Sequence, residues 1–95
     1  MRIGKATKKP VEIDYFGWEG RNDFQLEQWV KSFGQKYLDY FISTENEDTG
    51  ELNLYVKTLE GTSYIVPKGY TIIRGVKGEY YPCETIIFLE TYNIK

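Results

Sequence analysis

Cys83 is the one thiol of the chain and stands in "YYPCETIIF", directly after a proline. A helix opening there would stabilise a thiolate through the unpaired N–H groups and the dipole of its first turn. A nucleophilic thiolate also needs a proton acceptor, and the sequence contains no histidine. That absence removes the usual general base, the usual activator of a nucleophile and the commonest transition-metal ligand. One cysteine without histidine cannot build a structural zinc site within the chain. The plainer reading makes Cys83 a small apolar residue buried at the joint with a closing element. The expectation is a protein that is not an enzyme, with no catalytic residue, no metal and no cofactor.

Two other stretches carry groups that could do chemistry. "ENEDTGE" places Glu45, Glu47, Asp48 and Glu51 around Gly50. Calcium takes several oxygens at loop spacing, but the alternating acidic pattern of an EF-hand is missing, so a solvated hairpin loop is expected. "KGYTIIRGVKG" brings together Lys68, Arg74 and Lys77 with three glycines. It lacks the spacing of a phosphate-binding P-loop. With neighbouring tyrosines it forms a candidate binding surface of Tyr70, Arg74, Lys77 and Tyr80. Such a surface suits a small molecule or nucleotide, or more weakly the stacked bases of a single strand.

These groups sit in a chain of 95 residues, the size of a single domain spanning 1–95. An apolar fraction of 41% suits a globular fold, and nine Tyr, five Phe and two Trp supply large buried or contact-forming rings. A net charge of −2 argues against general attraction to nucleic acid or to an anionic membrane. Arg2, Lys5, Lys8 and Lys9 concentrate cations at the start, as a solvated terminus or a weak anion-attracting arm. No apolar run is long enough to span a membrane, and no signal-peptide core follows the basic start. A lone cysteine makes a reducing, intracellular setting the default.

The elements that must position these groups can be read from periodicity. Residues 8–20 alternate as a strand, with Val11, Ile13 and Tyr15 on one face and Pro10 at its start. Leu26, Trp29, Val30 and Phe33 fall on one helical face, predicting an amphipathic helix over about 23–33. Asn22 or Asp23 would cap it and Gly34 would stop it. Strands are expected over 36–44, 51–61, 62–66 and 71–74, with a return strand at 79–81. Tyr37, Tyr40, Phe41, Tyr55 and Tyr64 lie on these strands, half or more of them as core and any outward-facing ones as a recognition patch. Turn chemistry at Glu60-Gly61, at Pro67-Lys68-Gly69 and between Gly75 and Gly78 joins them. After Pro82 a short C-terminal helix would put Ile87, Phe88, Thr91 and Tyr92 on one face, and a terminal strand is the alternative. The sum is α+β: a curled or barrel-like antiparallel sheet of short strands with one or two helices.

Two segments carry a family likeness. "KKPVEIDYFGWEG" and "VPKGYTIIRGVKGEYYPC", with the later Ile87-Phe88 and Thr91-Tyr92, resemble the opening and closing segments of small phage and prophage proteins of the PGDYG type. Gly75, Val76, Gly78, Glu79, Tyr80, Tyr81, Pro82 and Cys83 carry the closing motif. Pro67-Lys68-Gly69-Tyr70 stands where that group has Pro-Gly-Asp followed by an aromatic. The resemblance implies a mobile-element origin and a host-cytoplasmic setting, and it brings no activity and no catalytic residue. The functional expectation is a non-enzymatic accessory protein that binds another protein, with a homodimer through an exposed edge strand also open.

Overall fold

A computed structural model describes residues 2–5, 11–58 and 60–94. Along the chain run β1 (Asp14–Gly17), α1 (Asp23–Lys31), α2 (Tyr37–Tyr40), β2 (Phe41–Glu45), β3 (Leu52–Lys57), β4 (Ser63–Val66), β5 (Thr71–Arg74), β6 (Tyr80–Cys83) and α3 (Thr85–Thr91). The α+β class holds, with every strand pair antiparallel. The strands form two three-stranded sheets, β1-β5-β6 and β2-β3-β4, and neither closes into a barrel. The split comes at the Pro67 turn. Tyr70 N–H bonds the Pro67 carbonyl at 3.0 Å and Gly69 sits at φ +90°, so the chain leaves one sheet and enters the other.

The core between the sheets and α1 contains Trp18, Leu26, Val30, Phe41, Leu54, Val56, Val66, Ile72 and Tyr80. Helix α1 supplies Leu26 and Val30, with Trp29 packed against the cluster, as its period requires. Strand β3 supplies Leu54 and Val56 from alternate positions. Helix α1 ends at Lys31, two residues before the expected limit, and a turn through Gly34 follows. Asn22 occupies the cap position, but its side chain turns backward. Its Oδ1 accepts the Glu19 N–H at 2.9 Å and its Nδ2 donates to the Gly17 carbonyl at 3.1 Å, so it fixes the bend between β1 and α1.

Three expectations need correction. The strand read over 36–44 begins only at Phe41. Residues 37–40 make one helical turn, which lays Tyr37 on Phe41 at 5.4 Å and Tyr40 on Tyr80 at 5.0 Å. Tertiary packing of rings three residues apart outweighs their strand propensity. The first strand shrinks to Asp14–Gly17 because its partner β5 stops at Arg74, opposite Asp14. Its core-facing residue is Phe16, not the Val11, Ile13, Tyr15 set, and Lys8, Lys9 and Pro10 lie outside the described residues. The Glu60-Gly61 turn is longer than two residues: Thr58 N–H bonds the Thr62 carbonyl at 3.0 Å, with Gly61 at φ +81°.

The C-terminal segment is the helical alternative, α3, and it covers the outer face of the β1-β5-β6 sheet. Phe88 is buried there, 4.9 Å from the Tyr15 ring and 5.2 Å from Tyr92. Ile87, expected on the same face, is 51% exposed. Thr85 anchors the helix by donating to the Gly69 carbonyl and pairing with the Thr71 hydroxyl. Pro82 lies inside β6, opposite Ile72; β6 is an edge strand, where a missing N–H is tolerated.

Candidate functional site

The β5–β6 hairpin positions most of the polar chemistry. Gly78 N–H bonds the Gly75 carbonyl, Gly75 N–H bonds the Glu79 carbonyl, and Gly78 takes φ +78°. This is a three-residue hairpin loop closed by a left-handed glycine. The register Arg74↔Tyr80 and Ile73↔Tyr81 then sorts the side chains by alternation. Arg74 and Tyr80 point toward the core, while Ile73 and Tyr81 point to the face under α3.

On the core side, Gln35 organises a closed network. Its Oε1 accepts from Tyr80 Oη at 2.6 Å and from Arg74 Nε at 3.0 Å. Its Nε2 donates to Tyr40 Oη at 3.0 Å and to the Gly78 carbonyl at 2.9 Å. Arg74 has no acceptor of its own, so the amide oxygen must face it. The guanidinium also lies 4.2 Å from the centre of the Phe33 ring. Tyr80 is 1% exposed, and burial pushes its hydroxyl pKa up against the lowering effect of Arg74.

This places the four residues of the expected surface. Tyr80 is core, Arg74 is committed to Gln35 and Phe33, Lys77 is exposed on the hairpin loop, and Tyr70 packs at the far end of β5. They do not make one face. The recognition rings likewise divide: Phe41 is buried, Tyr37 and Tyr40 pack on the core, and Tyr64 is exposed. One apolar row does cross the outer face of the second sheet, Ile42–Tyr55–Ile65, with Ile65 52% exposed. The row itself carries no charge.

The other face of the hairpin opens into a groove of about 1020 Å³. Val11, Ile13 and Tyr15 form one wall, Phe88 and Tyr92 of the α3 segment another, and Val76, Glu79 and Tyr81 the hairpin side. Glu12 and Asp14 also border it, and no Lys or Arg does among the described residues. The Glu79 carboxylate lies over Gly75, where a Cβ would collide with it. Its Oε2 is shut off from solvent with no hydrogen-bond partner. Tyr81 has its hydroxyl pKa pushed up to about 12, first by burial and then by its hydrogen bond with Tyr92 and the negative charge of Glu79. Glu79 and Tyr81 also border a smaller cleft of about 300 Å³ with Thr58, Glu60 and Tyr64.

Cys83 is half-buried, not fully buried, at the β6–α3 joint, with its thiol toward the Glu84 carbonyl at 3.5 Å. Burial and the Glu84 charge push its pKa up, the opposite of an activated thiolate. The acidic stretch at 45–51 is a hairpin loop: Arg21 donates to the Thr49 carbonyl at 2.7 Å and Lys68 pairs with Glu51 at 2.9 Å. That pairing holds the Glu51 carboxyl below its ordinary value. No group of three metal-ligating side chains occurs among the described residues. Nor is any described helix long and apolar enough to cross a membrane.

Sequence reasoning gave Gln35 no role, read Glu79 only as part of the return strand and closing motif, and read Tyr92 only as part of the closing helix face. Glu79 had one available signal: it follows Gly75 by four residues across a hairpin loop, the spacing at which a side chain can fold over a glycine. Compared with known proteins, the chain matches no family model, no curated sequence and no solved structure.

Proposed function

We propose that this chain is a non-enzymatic accessory protein, of phage or prophage type and working in the host cytoplasm, that holds a segment of a partner protein in the groove between β1, the β5–β6 loop and α3. The observation that carries this reading is the groove itself. Its volume of about 1020 Å³ stands at the upper end of small-molecule sites and suits a short stretch of chain. Its rim leaves Val76 72% exposed, a large apolar side chain available for contact. The small-molecule reading used Tyr70, Arg74 and Tyr80 and the nucleic-acid reading used Arg74 or Lys77; Gln35 hydrogen-bonds Arg74 and Tyr80, and Tyr70 packs on the core, which favours the groove instead. The phage assignment rests on the resemblance of the opening and closing segments alone.

A photo-crosslinking residue in place of Val76 tests it, with the same residue in place of exposed Asn53 on the second sheet as reference. The expected result is one protein crosslinked from the groove position through a mapped peptide, and none from Asn53. Crosslinking from Asn53 but not from Val76 would remove the groove from the proposal. A turnover abolished by Cys83→Ala would remove its non-enzymatic part.

A further inference from the structure

We infer that the groove selects a cationic side chain, a lysine or arginine flanked by apolar residues, and seats its charge against Glu79 on the groove wall. The inference rests on the groove being the docking site and adds the chemistry of what docks there.

The first ground is the state of Glu79. A carboxylate is acceptor-only and wants several donors. Here one oxygen is out of solvent with no donor, and the ion pairs among the described residues, Lys31–Glu27 and Lys68–Glu51, leave Glu79 out. A carboxylate outside those ion pairs leaves its negative charge at the groove wall uncompensated, and a cation seated in the groove offsets that charge without having to reach the sealed oxygen. Lys77, two residues away on the same loop, makes no ion pair with it.

The second ground is the glycine beneath it. Gly75 does not have a positive φ, so backbone geometry does not demand glycine there. The Glu79 carboxylate, the end of a flexible side chain, occupies the position a Cβ would take. The hairpin therefore holds this carboxylate against the groove wall where any other residue at 75 would push it aside.

The third ground is charge and surface together. Asp14 and Glu79 border the groove without a bordering Lys or Arg among the described residues, while Val11, Tyr15, Phe88 and Tyr92 offer apolar and aromatic surface to the stem of a long cationic side chain. Aromatic faces also attract the cation itself. The outer row Ile42–Tyr55–Ile65 has apolar surface but no such complement.

The test uses two acetylated, amidated pentapeptides, Leu-Ala-Arg-Leu-Ala and its citrulline counterpart, which keeps the shape and loses the charge. Titration of the labelled full chain is followed at the Trp29 indole N–H, which borders the groove. The arginine peptide is expected to bind at least about tenfold tighter than the citrulline peptide, the scale of one charge-assisted hydrogen bond. Glu79→Gln should erase that ratio by weakening arginine-peptide binding. Gly75→Ala should reduce it without altering any charge. Equal binding of the two peptides, or a ratio that survives Glu79→Gln, overturns the inference. So does tighter arginine-peptide binding by a Lys8→Gln/Lys9→Gln/Lys95→Gln variant, which would make the chain's own cations the occupants. If crosslinking from Val76 persists while the arginine preference is absent, the groove stands as a docking site and only the cation assignment falls.

Discussion

The β5–β6 hairpin carries a polar cluster on each face, and the two obey different rules. Toward the core, Gln35 satisfies Tyr80 and Arg74 with its oxygen and spends its two N–H donors on Tyr40 and Gly78. Toward α3, Glu79 keeps a sealed oxygen with no donor, in a groove that Tyr81 and Tyr92 also line. A fully matched buried network fixes how elements pack. An unmatched one lowers stability and persists where something else completes it. The difference separates what holds the fold from what the fold holds ready. Single substitutions in the two clusters should therefore differ in sign as well as in size.

The largest effect belongs to Gln35→Ala. It orphans the Tyr80 hydroxyl and the Arg74 Nε together and unties the turn before α2 from the Gly78 loop. With each orphaned buried group costing ~1–3 kcal/mol, a loss of about 2–4 kcal/mol is expected. Urea unfolding reads it as a lower midpoint at an unchanged slope. A loss under about 1 kcal/mol would mean that the network is ornament and that the comparison fails on its structural side.

Glu79→Gln should move the other way. An amide in place of an unpaired carboxylate leaves stability unchanged or raises it by up to about 1 kcal/mol. The same urea experiment decides it. A loss above about 1 kcal/mol would make Glu79 a structural residue like Gln35, and the two faces would no longer differ. Smaller still is Gly75→Ala. Only the end of a flexible side chain stands in the way of the new methyl, and the unfolded chain loses freedom in compensation. A net change within about 0.5 kcal/mol is expected, while the Glu79 carboxyl resonance shifts as its surroundings change.

The two faces were unequally legible in the sequence. Alternation marked β3 and the 3.6-residue period marked α1, because these elements bury one regular face, while β-prone residues marked β5 and paired glycines marked the hairpin loop. Tyr80 read as a ligand-facing ring because its neighbours Arg74 and Lys77 are cations. It is instead core, and the cause lies 45 residues away in Gln35, a distance no local pattern spans. The turn at 37–40 was missed for a related reason: its rings choose a helix for what they pack on, not for their own propensity. The groove was invisible because three separate segments wall it. Its one local trace was the glycine four residues before Glu79.

The smallest expected effect sharpens the comparison at high pH. Both faces carry a tyrosine whose pKa stands above its ordinary value of 10.0, Tyr80 through burial against the opposing effect of Arg74, and Tyr81 up to about 12 through burial, Tyr92 and Glu79. The neighbours of Tyr81 are thus another phenol, a carboxylate and the Cys83 thiol, each adding negative charge as it ionises. A pKa raised on folding means that the folded state prefers the neutral phenol. That contribution is whole below pH 10 and is lost as pH rises toward and through 12. Tyr81→Phe cannot ionise, so its unfolding midpoint should fall less steeply than wild type between pH 10 and 12. Among the described residues the groove is bordered by no cation that would offset the accumulating charge, whereas Arg74 sits beside Tyr80. Tyr80→Phe should therefore flatten the alkaline slope less than Tyr81→Phe does. Equal slopes in the two variants would show that the groove is no more electronegative than the core face, and the preference for a cationic segment would lose its electrostatic basis.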